Sequence, residues 1–146
     1  MAIGYSVQDP GNVGAIIRVA EAAGGTGVVA GTMSADPLSW KAIRASMGSA
    51  LRLPLGRDTG AAINAARAQG CRIVALAPRG GRSLFELDLR KPTAIVIGGE
   101  GAGIPIGLLD DADDCATIPM RSPVESLNAA VTAAIALYEA HRQRSA

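Results

Sequence analysis

Gly98-Gly99-Glu100-Gly101-Ala102-Gly103 and Ile118-Pro119-Met120-Arg121-Ser122-Pro123-Val124-Glu125-Ser126-Leu127-Asn128 are the two stretches whose reading decides the fold. Each follows a short β-branched run and leads into a helix or turn. Glycines there let backbone N–H groups approach a ligand closely, and a helix N-terminus favours electron-rich groups. A third stretch, Asp9-Pro10-Gly11-Asn12-Val13-Gly14-Ala15-Ile16-Ile17-Arg18, lies near the start, so three loops are expected to converge on one site.

Around these stretches the chain alternates short apolar runs with helical patterns, which predicts βαβ units and a parallel sheet. Strands are expected at Ile3–Val7, Gly27–Ala30, Leu51–Leu55, Arg72–Ala77, Ala94–Gly98 and Ala116–Pro119. Helices are expected near Val13–Ala23, Pro37–Ser46, Thr59–Gln69 and Ile104–Leu109, with a long final helix from about Glu125 to Arg142. In that last helix Leu127, Ala130, Val131, Ala134, Ile135 and Tyr138 form an apolar stripe at helical spacing. No repeat, low-complexity stretch or linker interrupts the pattern.

The 146 residues suit one domain with a substantial core. Nearly half are apolar but only 3% are aromatic, so small aliphatic side chains must fill that core. Fourteen basic against 13 acidic residues give no general attraction to a polyanion. Cys71 and Cys115 stand far apart with no Cys-x-x-Cys, and read as reduced core residues of a cytosolic protein. The only histidine, His141, sits among Arg142 and Arg144 at a solvated helix end, which leaves no histidine for catalysis. No apolar run approaches the roughly 20 residues of a membrane span and no signal-peptide pattern opens the chain, so a soluble, cytoplasmic protein is expected.

Each motif has a bland reading beside a chemical one. Asn12 is a natural helix N-cap, and Arg18 is spaced to pair with Glu21 on a wet face. The Gly98–Gly103 cluster is neither a Walker A loop nor a Gly-x-Gly-x-x-Gly turn, and is either a tight turn or a ligand loop. Glu100 would repel a phosphate there, and suits a ligand bearing hydroxyls, amines or positive charge. Ser122-Pro123-Val124-Glu125 reads as a capping box. Ser126 and Asn128 are not explained by that cap.

Together the three stretches resemble the signature motifs of the SpoU (TrmH-like) group of the SPOUT superfamily. Asn12, Gly14 and Arg18 match its Asn-x-Gly-x-x-x-Arg segment, and Gly98, Glu100 and Gly103 its Gly-x-Glu-x-x-Gly. Glu125-Ser126-Leu127-Asn128-Ala129-Ala130 matches its last motif, which moves the expected helix start from Ser122 toward Ser126. A smaller match at Ala45-Ser46-Met47-Gly48-Ser49 makes Ser46 either a support for the arginine or an ordinary helix end. Arg79 and Arg82 are either contacts to RNA phosphate or solvated. Trp40 reads as a partly buried anchor rather than a base-stacking platform.

The resemblance implies the α/β-knot (SPOUT) fold: a mostly parallel sheet, helices on both faces and a C-terminal deep trefoil knot. Such knots are exceptions to the usual topology rules. It also implies transfer of a methyl group from S-adenosylmethionine to a ribose 2′-hydroxyl of rRNA or tRNA, without a metal. Arg18 would orient and activate the hydroxyl, with Asn12, Glu100, Ser126 and Asn128 in support. The cofactor would lie against Leu76, Ala77, Gly98, Gly99, Glu100, Gly101, Gly103, Ile118, Pro119, Met120, Ser126, Leu127 and Asn128. Family members are homodimers, so Arg18 is expected to serve the partner's cofactor. Only eight residues precede Asp9, and residues 1–146 are therefore expected to be a catalytic domain without a separate N-terminal RNA-binding domain, holding RNA weakly. The competing reading is a non-catalytic nucleotide- or RNA-binding α/β module.

Overall fold

The computed structural model describes residues 1–146. Along the chain run β1 (Ala2–Tyr5), α1 (Pro10–Ala22), β2 (Val28–Ala30), α2 (Trp40–Ser46), β3 (Leu55–Gly56), α3 (Thr59–Ala68) and β4 (Arg72–Leu76). They are followed by β5 (Arg82–Ser83), β6 (Thr93–Gly98), α4 (Ile106–Asp111), β7 (Asp114–Thr117) and α5 (Ala129–Arg144). The strands form one sheet in the order β3-β2-β1-β6-β4-β7-β5. Every paired neighbour is parallel, so the sheet is fully rather than mostly parallel.

A parallel sheet covered on both faces needs strands that are apolar on both sides, and β6 is such a strand. Ile95 and Ile97 enter a core with Ile16 and Ile17 of α1 and Ala133 and Ala136 of α5. Ala94 and Val96, pointing the other way, pack with Ile63 and Ala66 of α3. Strand β4 repeats the division, with Val74 and Leu76 on one face and Ile73 and Ala75 on the other. Each fully buried isoleucine contributes about 1.5–3 kcal/mol relative to exposure. Gly14 sets how closely α1 and α2 approach: a Cβ there would lie 2.3 Å from the Ala42 carbonyl oxygen and 2.7 Å from the Ala45 Cβ.

Several expected boundaries move, each for a local reason. Asp9, not Asn12, caps α1: its carboxylate accepts from the Gly11 N–H at 2.8 Å. Pro10 occupies the first helical position, where its missing donor costs nothing. The expected strand Leu51–Leu55 shrinks to Leu55–Gly56, with Leu51 in a 3-10 turn and 75% exposed. Pro54 lacks the N–H a strand would use, although its carbonyl still accepts from Val28 N at 3.0 Å. Helix α2 starts at Trp40 under a Ser39 cap rather than at Pro37. Strand β5 lies outside the strands expected from sequence, because a two-residue polar strand carries no period.

Strand β7 begins earlier than its apolar residues, at Asp114, because Arg72 and Arg82 neutralise that carboxylate. The final helix begins at Ala129, not Glu125. Arg121 to Val124 instead makes a turn across a cis Ser122-Pro123 bond, with Val124 N donating to Arg121 O at 3.2 Å. The stripe expected on α5 is not its buried face. Ala129, Ala133, Ala136, Leu137 and Ala140 are buried, whereas Val131 and Tyr138 are exposed.

Other side chains also differ from expectation. Cys71 and Cys115 are free, as expected, but half-buried rather than in the core. Trp40 is 74% exposed, with the Arg44 guanidinium 5.2 Å from its ring centre, and anchors nothing. Glu21 pairs with Arg52 instead of Arg18. No helix is long and apolar enough to cross a membrane.

Candidate active site

The loops after β4, β6 and β7 leave the same edge of the sheet, at the carboxyl ends of parallel strands, where open α/β sheets bind ligands. They enclose a cleft of about 320 Å³, within the range of small-molecule sites. Leu76, Ala77 and Pro78 form one wall, and Gly98, Gly99, Glu100, Gly101 and Gly103 a second. Ile118, Met120, Ser126, Leu127 and Asn128 form a third, completed by Ala129 and Thr132 from the first turn of α5. Gly98–Gly103 and Ile118–Asn128 thus supply two of the three walls.

The glycine loop passes close to the end of β1. A Cβ on Gly99 would fall 1.7 Å from the Ser6 carbonyl oxygen, which no side chain tolerates. The Gly99 N–H donates to Tyr5 O at 2.8 Å, and Gly99 and Gly103 form an isolated antiparallel bridge that folds the loop back on itself. The loop is therefore pinned at its base and presents Glu100 outward, exposed at the cleft.

Three segments meet at Glu100. Asn12 Nδ2, in the first turn of α1, donates to Glu100 Oε1. Asn128 Nδ2 donates to Asn12 Oδ1 at 3.1 Å. Asn128 in turn caps α5, its Oδ1 accepting from Ala130 N at 2.9 Å and Val131 N at 3.2 Å. Arg79 and Glu125, on two different walls, approach to 3.3 Å at the exposed rim.

The remaining expected site residues divide. Pro119 is exposed and does not line the cleft. Asn12 touches Glu100 without lining it. Arg18 is exposed, makes no ion pair, and lies six residues beyond Asn12, about 9 Å along the helix axis. Ser46 supports no arginine: it is fully buried, donating to Ile43 O at 2.8 Å and accepting from Ala50 N at 3.3 Å to close α2. Arg82 lies 3.7 Å from Asp114. Ala129 and Thr132 were missed, and the signal for them was available. Once Asn128 is the cap, the next helical turn on the same side must face the cleft.

Leu76, Ile118 and Leu127 offer apolar surface for a flat ring. Glu100 is the only ionisable side chain in the lining, and supplies negative charge for a cationic group. That donor set fits a ligand with an apolar ring system, hydroxyls and positive charge, which S-adenosylmethionine possesses. No three His, Cys, Asp or Glu side chains come together to hold a metal ion.

Comparison with known proteins gives the same family throughout. A 23S rRNA (guanosine(2553)-2′-O)-methyltransferase, RlmP, of Bacillus subtilis is 37% identical over 134 residues, covering 91% of this chain and 54% of that protein. An uncharacterised tRNA/rRNA methyltransferase of Synechocystis is 37% identical over 140 residues, covering 94% of this chain and 51% of that one. The chain thus spans about half the length of the curated relatives it matches. Among solved structures, the SpoU methyltransferase AviRb of Streptomyces viridochromogenes, in complex with AdoMet, superposes with a TM-score of 0.92 at 35% identity. The match covers 99% of this chain and 57% of AviRb. An AdoMet-bound rRNA methyltransferase of Sinorhizobium meliloti gives 0.89 at 38% identity, covering 97% of this chain and 54% of its own. The SpoU rRNA Methylase family model matches residues 2–138, and the chain belongs to that family.

Proposed function

We propose that residues 1–146 form a SpoU-type catalytic domain that transfers a methyl group from S-adenosylmethionine to a ribose 2′-hydroxyl of rRNA or tRNA. The observation that carries this reading is the Glu100–Asn12–Asn128 network at the cleft, which joins one residue from each of the three motifs. A binding module would need the cleft but not that convergence. The named activity of RlmP and the cofactor in the AviRb complex support the same reading.

The bound cofactor would supply a methyl group already activated by positive sulfur, so no metal is required. Leu76, Ile118 and Leu127 would hold its ring, backbone groups of the Gly98–Gly103 loop its polar edge, and Glu100 would face the charged end. Gly101, Met120, Ser126 and Asn128 complete the enclosure, with Ala77 and Gly98 at its base. Arg18 would orient the ribose and its phosphate, since a guanidinium presents a planar fork of donors.

A homodimer follows from the same reading. Arg18 is exposed and lies outside the lining of the cleft in its own chain, and α5 leaves the apolar side chains of Val131 and Tyr138 exposed. Packing those side chains against a second copy would cover them and bring one protomer's Arg18 to the other's site. The trefoil knot belongs to this reading, supported by the likeness to the SpoU methyltransferase AviRb at a TM-score of 0.92. A bacterial rRNA or tRNA substrate would place the protein in the cytoplasm.

The deciding experiment incubates the chain with methyl-labelled S-adenosylmethionine and total rRNA or tRNA, followed by nuclease mapping. Labelled 2′-O-methyl ribose is the expected product. Saturable cofactor binding with no transfer to any RNA would favour the non-catalytic module.

A further inference from the structure

Methyl transfer to a hydroxyl releases a proton, and the cleft contains one group able to take it. Glu100 is the only ionisable residue in the lining, and the single histidine, His141, lies in the last turns of α5. The surrounding amides settle which carboxylate oxygen is free. Asn128 Oδ1 is occupied by two N–H groups of α5, so its amide nitrogen faces Asn12. That contact engages Asn12 Oδ1 and turns Asn12 Nδ2 onto Glu100 Oε1. Two amides thus carry one orientation from the start of α5 to one oxygen of the carboxylate. No protein group donates to the other oxygen, Oε2.

We propose that Glu100 Oε2 accepts the proton of the ribose 2′-hydroxyl, with Asn12 and Asn128 as positioning residues. The proposal rests on the methyltransferase reading above. As O2′ bonds to the methyl carbon, the carbon–sulfur bond breaks and its electron pair stays on sulfur as a neutral thioether. The hydroxyl proton passes to Glu100 Oε2, and the neutral carboxyl later returns it to water. A carboxylate is a weak base for a free hydroxyl, but the proton becomes far more acidic as the oxygen gains a third bond, to the methyl carbon, and with it positive charge. The acceptor therefore has only to be in hydrogen-bond reach while that bond forms. Arg18 stays protonated and has no lone pair to offer. Orientation is the role its chemistry suits.

The test compares wild type, Glu100→Gln, Glu100→Ala and Asn12→Ala. Methyl transfer to total rRNA and tRNA is read beside calorimetric affinities for S-adenosylmethionine and S-adenosylhomocysteine. Glu100→Gln is expected to lower kcat at saturating cofactor by about 100-fold or more, while the affinity for the neutral S-adenosylhomocysteine stays within about threefold of wild type. Added formate should restore part of the activity of Glu100→Ala. Asn12→Ala should lower kcat about tenfold without changing either affinity, and should add nothing on top of Glu100→Gln, as expected of residues acting as a unit. Transfer that persists in Glu100→Gln at near wild-type kcat overturns the proposal alone. A selective loss of affinity for the cationic cofactor with kcat unchanged at saturation also overturns it, by limiting Glu100 to a counter-charge. No transfer by the wild-type chain overturns the methyltransferase reading and the proposal with it.

Discussion

Asn128 donates from Nδ2 to Asn12 Oδ1 at 3.1 Å, a bond between residues 116 positions apart that ties the first turn of α1 to the N-cap of α5. Asn128 therefore does two jobs with two ends of one amide. Its oxygen stabilises a helix, and its nitrogen sets the orientation of a second amide at the cleft.

These jobs separate by substitution. Asn128→Ala removes the cap and the link, and is expected to cost about 1 kcal/mol of stability as well as activity. Asn128→Asp keeps an acceptor for Ala130 and Val131 but presents oxygen to Asn12 Oδ1. Thermal melts should show Asn128→Asp close to wild type while methyl transfer falls at least tenfold. Equal activity in Asn128→Asp and wild type would show that the amide orientation does not matter.

Cofactor binding should appear without RNA or metal. A ligand that binds only the native state raises stability by about 2.7 kcal/mol at 100 times its Kd, so S-adenosylmethionine and its demethylated product should both raise Tm. Calorimetry on metal-free protein checks this. A folded chain with no heat of binding at millimolar ligand would remove the basis of the assigned cleft.

Arg18→Ala and Arg18→Lys should both abolish transfer and leave cofactor affinity nearly intact. Lysine keeps the charge but loses the planar fork. Mixing Arg18→Ala with a chain disabled in the cleft, such as Glu100→Gln, should restore partial activity if each site takes its arginine from the other subunit. Proven mixed dimers without rescue would place the whole site within one chain.

The parallel sheet and the three site loops were legible because their signals are local. Strand β6 is an unbroken apolar run, and the glycine and asparagine positions match motifs at fixed spacing. What was not legible depends on distant partners. Strand β7 can start at Asp114 because Arg72, 42 residues away, and Arg82 meet its carboxylate. Asn12 looked like a cap because its role depends on Glu100 and Asn128, which sequence distance conceals. The apolar stripe of α5 follows from period alone, and period does not tell a face buried in the chain from one left exposed.

Gly14 was legible as a motif residue but not as a packing residue. A Cβ at this position would lie 2.3 Å from a backbone oxygen of α2, which has no rotamer to escape by. Gly14→Ala is therefore expected to destabilise the protein by about 1–3 kcal/mol, the usual cost of overpacking. The gain in helix propensity from alanine recovers less than that. A urea midpoint at or above that of wild type would show that α1 and α2 can part without loss.

Acid stability depends on a group far from the cleft. Glu139 is 7% exposed, and accepts from Arg142 through both carboxylate oxygens at 2.8 Å and from Gln143 Nε2 at 2.8 Å. The Arg142 contact above all lowers its pKa from the ordinary 4.5 to about 2. Glu21, held chiefly by Arg52, is likewise lowered to about 2. A carboxylate with a depressed folded pKa contributes stability that is fully present above its unfolded pKa. That contribution is lost as pH falls from about 4.5 toward 2, because the unfolded chain takes up the proton first. Wild-type stability should therefore fall steeply across this window. Glu139→Gln should be less stable than wild type at pH 7 and lose less on acidification, Glu21 still supplying part of the slope. Urea unfolding at pH 7, 4.5 and 3 measures both. Parallel losses in the two proteins would show that the Glu139 carboxylate is not a source of the acid sensitivity.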